Sequence, residues 1–137
     1  MRRSMLAPAP TAILTMPRTL LTEDQIHPAI RAHIASLHAQ TVQEVQAAVA
    51  AHPLVVVGMA GNPFVRKARR ALDAAGLAHH DLDYGSYLGQ WRRRNALKMW
   101  TGWPTFPMVF VKGQLIGGAS DLQRLIDSGE CKRMLDS

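Results

Sequence analysis

WPTFPMVFVKGQLIGGASDL, residues 103–122, is the stretch that decides how this chain folds. Pro104 and Pro107 punctuate a rigid turn. Beyond them, the apolar runs 108–111 and 114–116 flank Lys112-Gly113, which predicts a β-hairpin. Gly117-Gly118 then leads into a helix predicted over residues 119–127, whose first amides have no acceptor within the helix.

Upstream, residues 55–72, VVVGMAGNPFVRKARRAL, read as a strand, a tight loop and a helix opening at Pro63. The apolar run 54–57 suits a buried strand. Pro63 in a first turn and Gly76 after Ala75 bracket the helix with proline first and glycine last. A helix N-terminus of this kind is where a reactive cysteine is activated. The position that would carry the cysteine is Asn62.

Residues 79–84 alternate His80, Leu82 and Tyr84 against Asp81 and Asp83, the pattern of a half-buried strand. A helix is predicted over 87–100. Towards the N-terminus, Thr22 with Gln25 and Thr41 with Glu44 both have capping-box form. The first predicts a helix over 22–38 carrying Ile26, Ile30, Ile34 and Leu37, with Pro28 in its first turn. The second introduces Val42, Val45 and Val49 on one face. The order is α, α, β, α, β, α, β, β, α. The first two strands are expected to run parallel, joined by a right-handed crossover. No internal repeat or low-complexity tract is present.

The 137 residues suit one domain, and 47% apolar content is ordinary for a globular chain. No run approaches the ~20 apolar residues of a membrane span, and a membrane partner is not expected. A lone cysteine, Cys131, excludes an intrachain disulfide and a C-x-x-C pair. The default compartment is a reducing cytoplasm. The charge of +6 points to anionic partners: nucleic acid, an acidic surface or a carboxylate-rich ligand. The first 22 residues hold Arg2, Arg3 and Arg18 and no acid before Glu23, and prolines break their apolar part. Residues 1–21 are therefore expected to be a flexible tail rather than a targeting signal, with Met16 as a second possible start. Residues 22–137 form the domain, with 22–52 as a helical extension and 53–130 as its core.

The most specific segment is RNALKMWTGWPTFP, residues 94–107: an arginine, a leucine-lysine pair, then Trp-Pro-Thr-x-Pro. With Gly117-Gly118 and the helix start after it, the chain resembles the glutaredoxins over residues 54–128, most closely their monothiol branch. That resemblance implies a thioredoxin-like α/β fold, a four-stranded mixed sheet flanked by helices, here with an N-terminal helical extension. It also implies a glutathione site. Pro107 would follow a cis peptide, and the backbone of Phe106, next to Thr105, would pair with the cysteinyl part of glutathione. Gly118, Ala119, Ser120 and Asp121 would hold the γ-glutamyl carboxylate at a helix N-terminus. Arg94 would pair with the glycyl carboxylate.

Plainer readings stand beside these. Ser120 is also an N-cap residue type, and Asp121 either caps the helix or partly replaces the aspartate that the family usually has where Ser120 stands. Arg92, Arg93 and Arg94 form a charge run of the kind that covers a solvated helix face.

The departures fall at the reactive loop. The family's active-site cysteine aligns with Asn62, the second cysteine of dithiol members with Val65, and a lysine before the loop with Met59. An amide cannot attack a disulfide. It also cannot replace a thiolate on the iron–sulfur cluster that monothiol members bridge between two subunits. No catalytic residue and no cluster are expected. Cys131, within Glu130-Cys131-Lys132-Arg133, has cations that would favour a thiolate, but nothing in the sequence brings it to Asn62, and a surface cysteine is the plainer reading.

The expected function is glutathione binding in thiol redox or iron–sulfur metabolism without the usual thiol–disulfide exchange, with a redox or iron–sulfur client as partner. Two alternatives remain open: a glutathione-dependent oxidoreductase using bound glutathione or Cys131, and an interaction or polyanion-binding module on the same fold. The basic clusters at 66–70 and 92–98 are expected to flank the glutathione cleft. Trp91, Trp100 and Trp103 are assigned to core packing, so nucleic acid is not expected. His27, His33 and His38 fall on different helix faces, and His79 and His80 on opposite sides of a strand, so no metal set is expected.

Overall fold

The computed structural model describes residues 17–137, and residues 1–16, most of the predicted tail with its second start, lie outside the described residues. The chain divides into a unit ending at Ala35 and a compact unit from Ser36 to Ser137.

In the first unit the helix predicted over 22–38 is shorter. A 3-10 turn spans Glu23–Gln25, Ile26 is extended, and α1 is Pro28–Ser36. Gln25 Oε1 accepts the Thr22 N–H at 3.0 Å, as a capping box requires, but the Thr22 hydroxyl donates to Asp24. The residue before a proline avoids the helical region, so the helix cannot run through His27 and restarts at Pro28.

The second unit holds strands β1 (Leu54–Gly58), β2 (His80–Asp83), β3 (Met108–Val111) and β4 (Gln114–Gly117). They form one sheet in the order β2-β1-β3-β4. β1 and β2 are parallel, Val55 opposite His80; β1–β3 and β3–β4 are antiparallel. The helices are α2 (Ala39–Ala51), α3 (Pro63–Ala74), α4 (Trp91–Thr101), α5 (Ala119–Asp127) and α6 (Glu130–Asp136). This is the expected four-stranded mixed sheet with flanking helices.

Strand alternation sorts the core into two layers. Val55, Val57, Met108 and Phe110 pack with Val45 of α2 and Leu97 of α4. Leu54, Val56, Val109 and Val111 pack with Leu72 of α3, Leu122 of α5 and Cys131 of α6. Because helices cover both faces, β1 and β3 are buried along their whole length and read as unbroken apolar runs.

Four expectations change. Thr41 and Glu44 do not cap α2, which begins at Ala39 after His38 in a left-handed conformation. They lie inside the helix, where the Thr41 hydroxyl accepts from Arg93 Nε at 2.9 Å and Glu44 Oε1 accepts from both Arg93 and the Tyr84 hydroxyl at 3.0 Å. These bonds tie α2 to α4 and to the end of β2. Burial, reinforced by the bond to Glu44, pushes the Tyr84 phenol up to about 12. The strand predicted over 79–84 is trimmed to His80–Asp83. The helix predicted from 87 starts at Trp91, because Gln90 takes a left-handed conformation and residues 86–89 close a small bridged turn. A further helix, α6, follows α5, after Gly129 at φ 81° redirects the chain.

Candidate functional site

β1 delivers the chain to Asn62, whose side chain caps α3. Its Oδ1 accepts the N–H of Phe64 at 2.8 Å and of Val65 at 3.1 Å, and the residue is only 7% exposed. Gly61, at φ 78°, makes the preceding turn, and Pro63 takes the first helical position. Two amides that would stabilise a negative atom at this helix end are thus occupied by a neutral amide oxygen.

Across from this loop, the Phe106–Pro107 peptide is cis. It precedes β3, and Phe106 is buried in the core layer shared with α2 and α4. Trp103 stands at the turn into this segment, its N–H donating to Thr101 Oγ1 at 3.1 Å. Its indole Nε1 is buried and has no acceptor among the described residues. A Cβ built on Gly118 would lie 3.7 Å from that nitrogen, so the α5 N-terminus and the indole face one another.

These residues line one hollow of about 330 Å³: Phe64 and Trp103 together with Thr105, Phe106, Pro107, Gly118, Ala119, Ser120 and Asp121. Seven of the eight residues that the sequence proposes for ligand contact therefore share one concave surface. Arg94 is not among them. It is 8% exposed, and its Nη1 donates to the carbonyls of Tyr84 at 2.9 Å and Gly89 at 2.6 Å. A buried guanidinium held by two carbonyls braces the loop ahead of α4. Gly85 makes room for it: at φ 70°, a Cβ there would meet the Gly89 oxygen at 2.5 Å.

The two plain readings at the α5 terminus resolve by geometry. Asp121 caps: its carboxylate accepts the Gly118 N–H at 3.0 Å and pairs with Arg124. Ser120 is exposed in the first turn rather than at the N-cap, which is Gly118. The first-turn amides beyond Gly118 have no acceptor within the helix.

Sequence reasoning missed Phe64 as a wall of the hollow; Trp103 packs on the core as expected and also lines the hollow. Phe64 lies off the buried stripe of Val65, Ala68 and Leu72, a signal visible in the helical spacing. Lys98 Nζ, from the motif's leucine-lysine pair, lies 5.9 Å from the centre of the Phe106 ring, a cation beside a residue that lines the hollow. Trp91, expected in the core, is exposed.

Cys131 is not a surface residue. It has no exposed area and packs among Leu54, Val56 and Leu122, and burial pushes its thiol pKa up despite Lys132 and Arg133. The donor set does not fit an iron–sulfur cluster, since the chain's one thiol is enclosed in the core and Asn62 offers only an amide. His79 lies between Asp73 and Asp81, and His80 stacks on His52 at 4.0 Å. Among the described residues no three His, Cys, Asp or Glu gather as a metal site. None of the described helices is long and apolar enough to cross a membrane.

Residues 54–116 match the family profile described as Glutaredoxin. A glutaredoxin-like protein of Dictyostelium discoideum is 42% identical over 96 residues, covering 70% of this chain and 78% of the relative. A probable monothiol glutaredoxin of Legionella pneumophila is 35% identical over 72 residues, covering 53% and 78%. Among solved structures, the buckwheat glutaredoxin–glutathione complex superposes with a TM-score of 0.65 at 25% identity, covering 74% of this chain and 92% of that one. Oxidized glutaredoxin 2 from Chlamydomonas reinhardtii gives 0.62 at 27% identity, covering 72% and 94%.

Proposed function

Since the chain belongs to the glutaredoxin family and has its thioredoxin-like fold, we propose that it binds glutathione and serves thiol redox or iron–sulfur metabolism without catalysing the usual thiol–disulfide exchange. Its monothiol glutaredoxin relatives support the metabolic setting. The observation that carries the reading is the pairing of a lined hollow with a capped reactive position. Phe106, Pro107 and the α5 N-terminus offer backbone groups to a peptide-like ligand, while Asn62 replaces the sulfur that would exchange.

The fit is good at two points. The buried Trp103 Nε1, which faces Gly118, lacks an acceptor among the described residues, and a buried donor without one is costly, so a carbonyl or carboxylate seated at Gly118 would relieve it where the indole wall shifts to admit the oxygen. Ala119 and Ser120 add first-turn amides and the positive end of the helix dipole. Lys98, beside the Phe106 ring, is better placed than the buried Arg94 to meet a second carboxylate. Bound glutathione would bring the thiol that the chain itself does not present. The alternative in which Cys131 supplies the sulfur is disfavoured by its burial and raised pKa.

Titrating the protein with reduced glutathione while following backbone amide shifts tests the reading. Saturable shifts at Phe106, Ser120 and Lys98 and a moved Trp103 indole N–H are the expected result. Flat shifts up to several millimolar ligand would overturn it and leave a retained fold with a basic surface.

A further inference from the structure

The loop entering α4 and the outer side of α4 carry large apolar side chains that no described residue covers. Leu88 is 98% exposed, Tyr87 67%, Met99 65% and Trp91 56%. Trp91 and Met99 are both exposed on one helix, eight residues and about 80° apart around its axis, and Tyr87 and Leu88 stand in the loop just ahead of Trp91. Exposed apolar groupings of this kind mark contact surfaces.

The loop is built, not slack. Gly89 N–H donates to the Ser86 carbonyl at 3.2 Å, Leu88 N–H to Ser86 Oγ at 3.2 Å, and Arg94 clasps Tyr84 and Gly89 from beneath. Held in this form, the knob loses little freedom when it is covered. It also adjoins the site: the Ala60 N–H, two residues before Asn62, donates to the Gly85 carbonyl at 2.8 Å. None of the four apolar residues lines the proposed glutathione hollow.

Residues 84–101 contain Arg92, Arg93, Arg94 and Lys98 and no acid. Arg94 is buried and Arg93 is paired with Glu44, whereas Arg92 is exposed with its guanidinium 5.1 Å from the Trp91 ring centre. Trp, Tyr, Met and Arg are the side chains enriched where proteins meet. A second copy of this chain would bring the same cations against them. Single-stranded nucleic acid gains from aromatic faces, but the most exposed residue is the aliphatic Leu88.

We propose that this face docks an acidic protein segment with an apolar anchor: a Leu, Phe or Trp side chain seated among Tyr87, Leu88 and Trp91, with flanking Asp or Glu beside Arg92. The partner would then lie next to the Asn62 loop. Four anchoring side chains make a small contact, suited to transient docking.

The test is display selection of random dodecapeptides on the immobilised protein, counter-selected on a Leu88→Asp/Trp91→Ala variant. Enriched sequences should combine acidic residues with a leucine or aromatic. The synthesised winner should shift amides across residues 85–99, bind less tightly as salt rises, and weaken about tenfold on Leu88→Asp. Thermal melts check that both variants fold, and Leu88→Asp alone suffices if Trp91→Ala does not. Equal enrichment on the variant, winners without acids, or shifts confined to the hollow each overturn the proposal. So does failure of the acidic peptides while labelled oligothymidylate or anionic phosphatidylglycerol vesicles bind through Leu88. None of these outcomes bears on glutathione binding, which is read at Phe106 and Ser120.

Discussion

Asp121 accepts the backbone N–H of Gly118 at 3.0 Å, so the chain's own carboxylate occupies part of the helix end proposed to receive a glutathione carboxylate. The two negative groups repel, and Arg124 offsets this only partly because its side chain is largely exposed. Asp121→Asn keeps an acceptor for Gly118 and removes the charge. Glutathione should bind several-fold more tightly by calorimetry, with stability changed by less than about 1 kcal/mol. Unchanged or weaker binding would separate Asp121 from the ligand.

The Asn62 cap makes the missing chemistry directly testable. In Asn62→Cys the Phe64 and Val65 amides now reached by Oδ1 would face a sulfur and favour its thiolate. The new thiol should titrate below the ordinary ~8.5, and glutathione-dependent reduction of a small mixed disulfide should become measurable. Loss of the cap should cost about 1 kcal/mol in denaturant unfolding. A thiol of ordinary pKa with no turnover would count against an otherwise intact site.

Cys131 behaves as a core residue. Native protein should react with a thiol reagent far more slowly than denatured protein. Cys131→Ser, which buries a hydroxyl among Leu54, Val56 and Leu122, should lose about 1–3 kcal/mol, and Cys131→Ala less of the polar penalty. Rapid stoichiometric labelling of the folded protein would show that this packing is wrong.

His79 makes stability pH-dependent. Burial pulls its pKa down, but hydrogen bonds and charges from Asp73 and Asp81 outweigh it, and the net pKa lies above 6.5. Its Nε2 faces Asp73 at 2.8 Å and its Nδ1 faces Asp81 at 2.6 Å, and only the doubly protonated ring donates to both. A raised folded pKa stabilises the protonated form. The contribution is complete below 6.5 and fades as pH rises through the folded value. The stability gap between wild type and His79→Ala, from urea unfolding, should be wider at mildly acidic than at mildly alkaline pH. A gap that is constant or grows with pH would contradict this network.

The hairpin around Lys112-Gly113, the helix opening at Pro63 and the buried strand at 54–57 are legible in the sequence because turn residues and apolar period are local properties. The same locality put Phe106, Pro107 and the helix start at Gly118 within one motif-bearing stretch, and they do line one hollow. Direction of burial is not local. Thr41 and Glu44 have the spacing of a cap, yet α4 lies across α2 and supplies Arg93, whose guanidinium claims both side chains. Arg94, in register with a ligand-binding arginine, turns inward because Tyr84 and Gly89 present carbonyls that a buried guanidinium must find. Trp91 looked like core and is surface; Cys131 looked like surface and is core, because α6 folds it against β3. Local pattern determines which elements form and where they stop. Which polar groups are spent inside the fold, and which remain for a ligand, is decided only when the elements pack, since a buried donor takes the nearest acceptor that packing leaves it.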